Sequence, residues 1–105
     1  NIKINRQIFD QINLGTGGVI VTSKGTSCDF VSRFFTPQAS ILEDPVTGSA
    51  HCSLIPFWAR KLHKKELTAL QLSKRKGILN CVEKNDRVII SGQARTYSIG
   101  KLWIE

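Results

Sequence analysis

The apolar positions of this chain change period three times. From Ile4 to Asn13, Ile4, Ile8, Phe9 and Ile12 fall on one helical face. Gly15, Gly17 and Gly18 then form a turn that ends it. The β-branched run Val19-Ile20-Val21-Thr22 predicts a strand. A turn over Ser23 to Ser27 leads into a second strand, Cys28 to Thr36. There Phe30, Ser32 and Phe34 alternate with Val31, Arg33 and Phe35, and a hairpin between the two strands follows. Pro37 breaks the pattern, and a loop runs to Pro45. From Gly48 the period lengthens: Ala50, Leu54, Phe57, Trp58 and Leu62 predict a helix. Pro56 inside it removes one internal hydrogen bond, so a kink is expected there, with the apolar stripe continuing on both sides.

Beyond the helix the period returns to two. Leu67 to Ser73 alternates through Leu67, Ala69, Gln71 and Ser73. Four further strands are expected at Gly77 to Glu83, Arg87 to Ser91, Ala94 to Ser98 and Lys101 to Ile104. Turns at Asn85-Asp86, Ser91-Gly92 and Gly100 separate them. Short strands at this spacing predict an antiparallel, barrel-like sheet wrapped around one central helix, an α+β fold. The chain has 105 residues, which suits a single domain. It opens on Asn1 and holds no methionine, so it is expected to begin inside a longer chain. Its start lacks the pattern of a signal peptide, and no apolar run is long enough for a bilayer.

Charge and cysteines narrow the function classes. Net charge is +7, with clusters at Arg60-Lys61, His63-Lys64-Lys65 and Lys74-Arg75-Lys76. No aromatic residue is interleaved with them as a base-stacking platform requires. An ordinary solvated surface is expected, with attraction of an anionic substrate or partner as a further reading, rather than a nucleic-acid interface. Cys28, Cys52 and Cys81 are odd in number and show no Cys-x-x-Cys spacing. That pattern predicts reduced thiols in a cytoplasmic protein, with neither a disulfide framework nor a metal site.

The chemistry concentrates in Glu43-Asp44-Pro45-Val46-Thr47-Gly48-Ser49. Thr47 is expected to cap the helix, with Gly48 and Ser49 in its first turn. The first amides of a helix lack internal acceptors, and the dipole adds roughly half a positive charge. Gly48 lets an anion approach the backbone, and Ser49 adds a hydroxyl. Asp44, held extended by Pro45, can bind a substrate amine or hydroxyl, or orient an acid or base. The same residues also read as a turn with a capped helix and no further role. His51 is expected to be packed within the fold, and Cys52 to be a small buried residue. Asp44, Ser49 and His51 lie too close in sequence for a catalytic triad. Gly15-Thr16-Gly17-Gly18 precedes a strand, whereas phosphate loops follow one, so it reads as a turn.

At this motif the sequence resembles the PhzF-like (phenazine biosynthesis-like) family, which shares the diaminopimelate-epimerase type of fold. The likeness runs through Gly18 to Thr22, Asp29 to Pro37, Glu43-Asp44-Pro45-Val46-Thr47-Gly48-Ser49-Ala50-His51, Trp58-Ala59, Gln71 to Gly77 and Arg87 to Ala94. It implies one of two similar halves, each a barrel-like sheet around a central helix, with the active site in the cleft between them. Residues 1–105 would be the C-terminal half of a two-domain protein. By this resemblance Asp44 and Ser49 are catalytic residues, and Thr47 and Gly48 form the substrate-binding turn. A glutamate acid/base and a supporting histidine would come from the absent N-terminal half. Related epimerases place a reactive cysteine where Ser49 stands, so the resemblance implies proton-shuttling isomerisation without metal or organic cofactor. The implied partners are a small carboxylate substrate and either the missing half or a second copy. A non-catalytic, self-associating or partner-binding domain is the alternative. Gly17 stands where the family often has arginine, and Lys76 where it often has glycine.

Overall fold

A computed structural model of the chain describes residues 3, 5–9, 11, 17–37 and 42–104. Helix α1 spans Arg6–Phe9. Asn5 caps it, its Oδ1 accepting from the amides of Gln7 (3.1 Å) and Ile8 (3.4 Å). Of the helix expected over Ile4 to Asn13, Gln11 lies in a turn, its amide donating to Ile8 O (3.2 Å); Ile4, Asp10, Ile12 and Asn13 lie outside the described residues, as does Gly15 of the turn after it.

Strand β1 (Val19–Lys24) pairs antiparallel with β2 (Phe30–Phe35), from Val19 opposite Phe35 to Lys24 opposite Phe30. The expected hairpin is present. Helix α2 (His51–Leu62) follows, then β3 (Glu66–Gln71), β4 (Gly77–Lys84) and β5 (Arg87–Ser91). The strands lie in the order β1-β2-β3-β4-β5.

The sheet is mixed, which corrects the antiparallel expectation. β3 runs parallel to β2, with Phe30 opposite Ala69 and Ser32 opposite Gln71. The cause is α2, which lies between them in sequence. A helix carried across the sheet returns the chain to the end where the first strand began, so the next strand is parallel. The other pairings are antiparallel. Among the described residues the sheet is open, with β1 and β5 at its edges.

Helix α2 packs against β3, β4 and β5. Its buried face is His51, Leu54, Ile55, Trp58 and Ala59. These meet Phe30, Leu67, Ala69, Leu79 and Cys81 from the sheet. Phe30 and Trp58 stack at 5.7 Å with ring planes 5° apart. The indole Nε1 donates to Thr22 Oγ1 (2.9 Å), which donates to the Val31 carbonyl (2.7 Å). The one polar atom of Trp58 is therefore satisfied while its rings stay dry. Burying side chains of this size stabilises by about 1.5–3 kcal/mol each. The helix runs through Pro56 without a break and ends at His63, whose left-handed φ of 55° turns the chain toward β3.

Two further expectations are corrected. Cys52 is exposed. It is one residue past His51, and one step turns ~100° around the helix, off the buried face. The strands expected at Ala94 to Ser98 and Lys101 to Ile104 are absent. Residues 92–104 form no strand or helix, and Tyr97, Ile99, Leu102, Trp103 and Ile104 are each more than four-fifths exposed. A strand is stabilised by a neighbour to pair with and a surface to pack on. The described residues offer this arm neither. Among them, no helix is long and apolar enough to cross a membrane.

Candidate active site

The turn from Glu43 to Ser49 is built from the sheet upward. β3 leaves the side of β2 after Gln71, where the Leu72 amide donates to Ser32 O (2.7 Å). The chain before α2 takes over that same side. Thr36 N donates to Leu42 O (2.8 Å), Asp44 N donates to Phe34 O (3.0 Å), and Glu43 bridges Phe35 antiparallel. Arg33 grips Glu43 at both oxygens, Nε to Oε2 at 2.8 Å and Nη2 to Oε1 at 2.9 Å. Such a two-point bond fixes direction as well as position. Asp44 therefore leaves the sheet at a defined place and angle.

The next three residues rest on the turn between β3 and β4. Pro45 O accepts from the Ser73 hydroxyl (2.7 Å), which in turn accepts from the Lys76 amide (2.9 Å). Val46 lies over Gly77, where a Cβ would sit 2.0 Å from Val46 Cγ2. Only glycine leaves room there for this approach. Gln71, 1% exposed, faces Thr47 and Asp44. Its Oε1 accepts from the Thr47 amide (2.7 Å). Its Nε2 donates to Asp44 O (2.9 Å) and Thr47 Oγ1 (3.1 Å). The Thr47 hydroxyl donates to Asp44 Oδ2.

Thr47 therefore does not cap the helix. Its side chain turns to Asp44 and its amide is taken by Gln71. The residue before α2 is Ala50, with no side-chain cap. The first turn closes on itself instead: the amides of His51, Cys52 and Ser53 donate to Gly48, Ser49 and Ala50 carbonyls at 3.0–3.2 Å. These bonds occupy carbonyls and leave the earliest amides open. Gly48 and Ser49 are both exposed, and an added Cβ at Gly48 would meet nothing within 4 Å. Among the described residues no protein acceptor meets the Gly48 or Ser49 amide. Two of the expected anion donors thus face open space at the positive end of a helix, and the third is spent on Gln71.

His51 is fully buried, as expected. Its Nδ1 lies 2.7 Å from Thr47 O. A carbonyl only accepts, so Nδ1 carries the proton and Nε2 is bare. Among the described residues, buried Nε2 has no partner. Burial pushes the imidazole below its ordinary pKa, against the smaller opposing pull of the bond to Thr47.

Asp44 also borders an open cleft of about 720 Å³, with Val46 beside it and Arg75, Lys76 and Gly77 opposite. Gly48 and Ser49 do not line that cleft. Gln71, Ser73 and Gly77 are the site-building residues that the turn's own sequence does not reveal. Their signal lies elsewhere: Gln71 and Ser73 are polar residues on the apolar side of an alternating strand. Among the described residues no three His, Cys, Asp or Glu side chains converge.

The family model for phenazine biosynthesis-like protein matches residues 2–100. An uncharacterized isomerase of Pseudomonas aeruginosa is 55% identical over 81% of this chain and 33% of its own length. An uncharacterized isomerase of Halalkalibacterium halodurans is 52% identical over 88% of this chain and 35% of its own. The crystal structure of a putative phenazine biosynthesis PhzC/PhzF protein from Clostridium difficile superposes with a TM-score of 0.84 at 44% identity. It covers 99% of this chain and 40% of that one. The chain thus spans about a third to two-fifths of the length of the relatives it matches. With the family model matched along almost all of its residues, this chain belongs to the phenazine biosynthesis-like (PhzC-PhzF) family.

Proposed function

We propose that this chain is the C-terminal half of a cofactor-independent isomerase that moves a proton on a small, carboxylate-bearing substrate. The observation that carries the reading is the pair of open amides at Gly48 and Ser49, in the turn that leads from Asp44 into α2. The amides and the Ser49 hydroxyl receive the substrate's carboxylate, and the helix end stabilises charge that develops beside it. Asp44 positions the reacting group or relays its proton. A proton leaves one carbon and returns to another, so the step needs no oxidant and no leaving group. The names of the bacterial relatives, both isomerases, agree with this class.

The missing walls come from the other half of a two-lobed, diaminopimelate-epimerase-like fold. The arm of residues 92–104 supports that partner, because it presents five large apolar side chains to solvent. The two sheet edges are where such a fold would close into a barrel. The basic surface, with Arg75 and Lys76 at the Asp44 cleft, favours an anionic substrate. Three unpaired thiols fit the reducing cytoplasm. A second reading, a non-catalytic domain that binds a partner or a second copy, is favoured by the arm alone.

The test is solvent-to-substrate deuterium exchange in the natural-length protein, screened over small unsaturated acids by mass spectrometry. Exchange is expected in the wild type and should collapse at least ~100-fold in Asp44→Ala, the usual scale for an acid/base group. Ser49→Ala should weaken substrate binding more than turnover. Unchanged exchange in Asp44→Ala would remove Asp44 from the mechanism. No exchange with any acid, in a protein whose arm is nonetheless seated on a partner, would favour the binding domain.

A further inference from the structure

The hydrogen bonds around Gln71 have only one self-consistent direction. The Thr47 amide can only donate, so the Gln71 atom facing it is the oxygen. The Asp44 carbonyl can only accept, so the atom facing it is the nitrogen. With both ends fixed, the second Nε2 proton points at Thr47 Oγ1. A hydroxyl that receives a proton from one side keeps its own for the other. The Thr47 hydroxyl accordingly points its proton at Asp44 Oδ2.

We infer that Gln71 is a positioning residue for Asp44. From β3 it holds the Asp44–Thr47 turn at three points and forces the Thr47 hydroxyl to act as a donor to the Asp44 carboxylate. The effect passes through Thr47 and not through direct contact with the Asp44 side chain. It gives Asp44 a fixed aim, and it presents the carboxylate as an acceptor with one oxygen engaged. The neutral amide is essential to the device. A carboxylate at 71 keeps the acceptor for the Thr47 amide but has no proton to give, so the hydroxyl turns toward residue 71 and releases Asp44. A leucine there removes the donor that backs the hydroxyl, loosening its hold on Asp44, and strands the Thr47 amide. This inference rests on the proposed role of Asp44, but its evidence is the direction of a hydroxyl, which is read independently of turnover.

The experiment follows the Thr47 hydroxyl proton by NMR in the natural-length protein. In the wild type this buried proton is expected as a slowly exchanging resonance with a through-space contact to Asp44. In Gln71→Leu its exchange should quicken by about ten-fold, the scale of one lost hydrogen bond. Gln71→Glu, nearly identical in shape, should lose the resonance near neutral pH and regain it in acid, when the new carboxyl is protonated and can donate. A space-filling role would show no such pH-dependent rescue. A wild-type spectrum without the locked hydroxyl overturns the inference, and so does a resonance that persists unchanged in Gln71→Glu. If the locked hydroxyl is found while Asp44→Ala leaves exchange chemistry intact, the functional reading fails and the hydrogen-bond assignment stands.

Discussion

Replacing Gly77 with alanine is expected to dislodge the Asp44–Ser49 turn, and Val46→Ala should restore it. A Cβ at residue 77 would stand 2.0 Å from Val46 Cγ2 and 3.1 Å from both its Cβ and Cγ1. The first distance lies far inside contact, so something must move. The backbone of Val46 has little freedom, because Ser73 holds Pro45 and Gln71 holds Thr47 on either side. Rotation about χ1 alone meets the stiffness of a β-branched side chain. Overpacking of this kind costs about 1–3 kcal/mol. For a domain near this size that lowers the melting temperature by roughly 5–20 °C. Val46 is 42% exposed, so Val46→Ala by itself should cost less than about 1 kcal/mol. It removes both γ-carbons and leaves a 3.1 Å contact to Cβ, which a small shift relieves. Urea denaturation of the two single variants and the double should therefore show a coupling of about 1–2 kcal/mol, with Gly77→Ala nearly silent in the Val46→Ala background. Additivity within about 0.5 kcal/mol would refute the claim that the turn is seated on β4 through this contact.

Three other expectations follow from single groups. His51 is held below the ordinary imidazole range by burial, so the unfolded chain takes up its proton first. Stability should be full above about pH 6.5, fall as the solution is made more acidic, and fall less steeply in His51→Gln, as read by melting curves across pH 5–8. Lys76 has a φ of 63°, a region that side chains with a Cβ avoid. Lys76→Gly should raise stability by roughly 0.5–1 kcal/mol, whereas Lys76→Ala should not, and equal effects in denaturant titrations would discount the strain. Trp103 is 82% exposed. Trp103→Ser should leave the isolated chain within about 0.5 kcal/mol of its parent but destabilise the natural-length protein by about 3 kcal/mol or more, since only there is a buried aromatic removed. Equal stability loss in both settings would show that the arm has no partner in the longer chain.

Much of this architecture was legible along the chain because local patterns answer local questions. Alternation placed β1 to β5 within a few residues, and the helical stripe placed α2 through Pro56. The Asp44–Ser49 turn stood out because Pro, Thr, Gly and Ser each have a backbone preference that needs no distant partner. The parallel pairing of β2 with β3 was also written in the order of elements, a helix between two strands, although a run of short strands suggested an antiparallel sheet.

What the local pattern misjudged depended on atoms far away in sequence. Thr47 has the chemistry of a cap, yet Gln71, twenty-four residues on, competes for its amide and turns its hydroxyl to Asp44. Cys52 has the composition of a core position, and only the helix's rotation against the sheet turns it outward. Residues 94–104 have the pattern of strands, but a strand exists only where another surface completes it. The sequence alone determined β1 to β5, helix α2 and the turn that leads into it. The tertiary structure decided which donors stay open, because a hydrogen bond belongs to whichever acceptor packing brings nearest, and nearness is set by the whole fold.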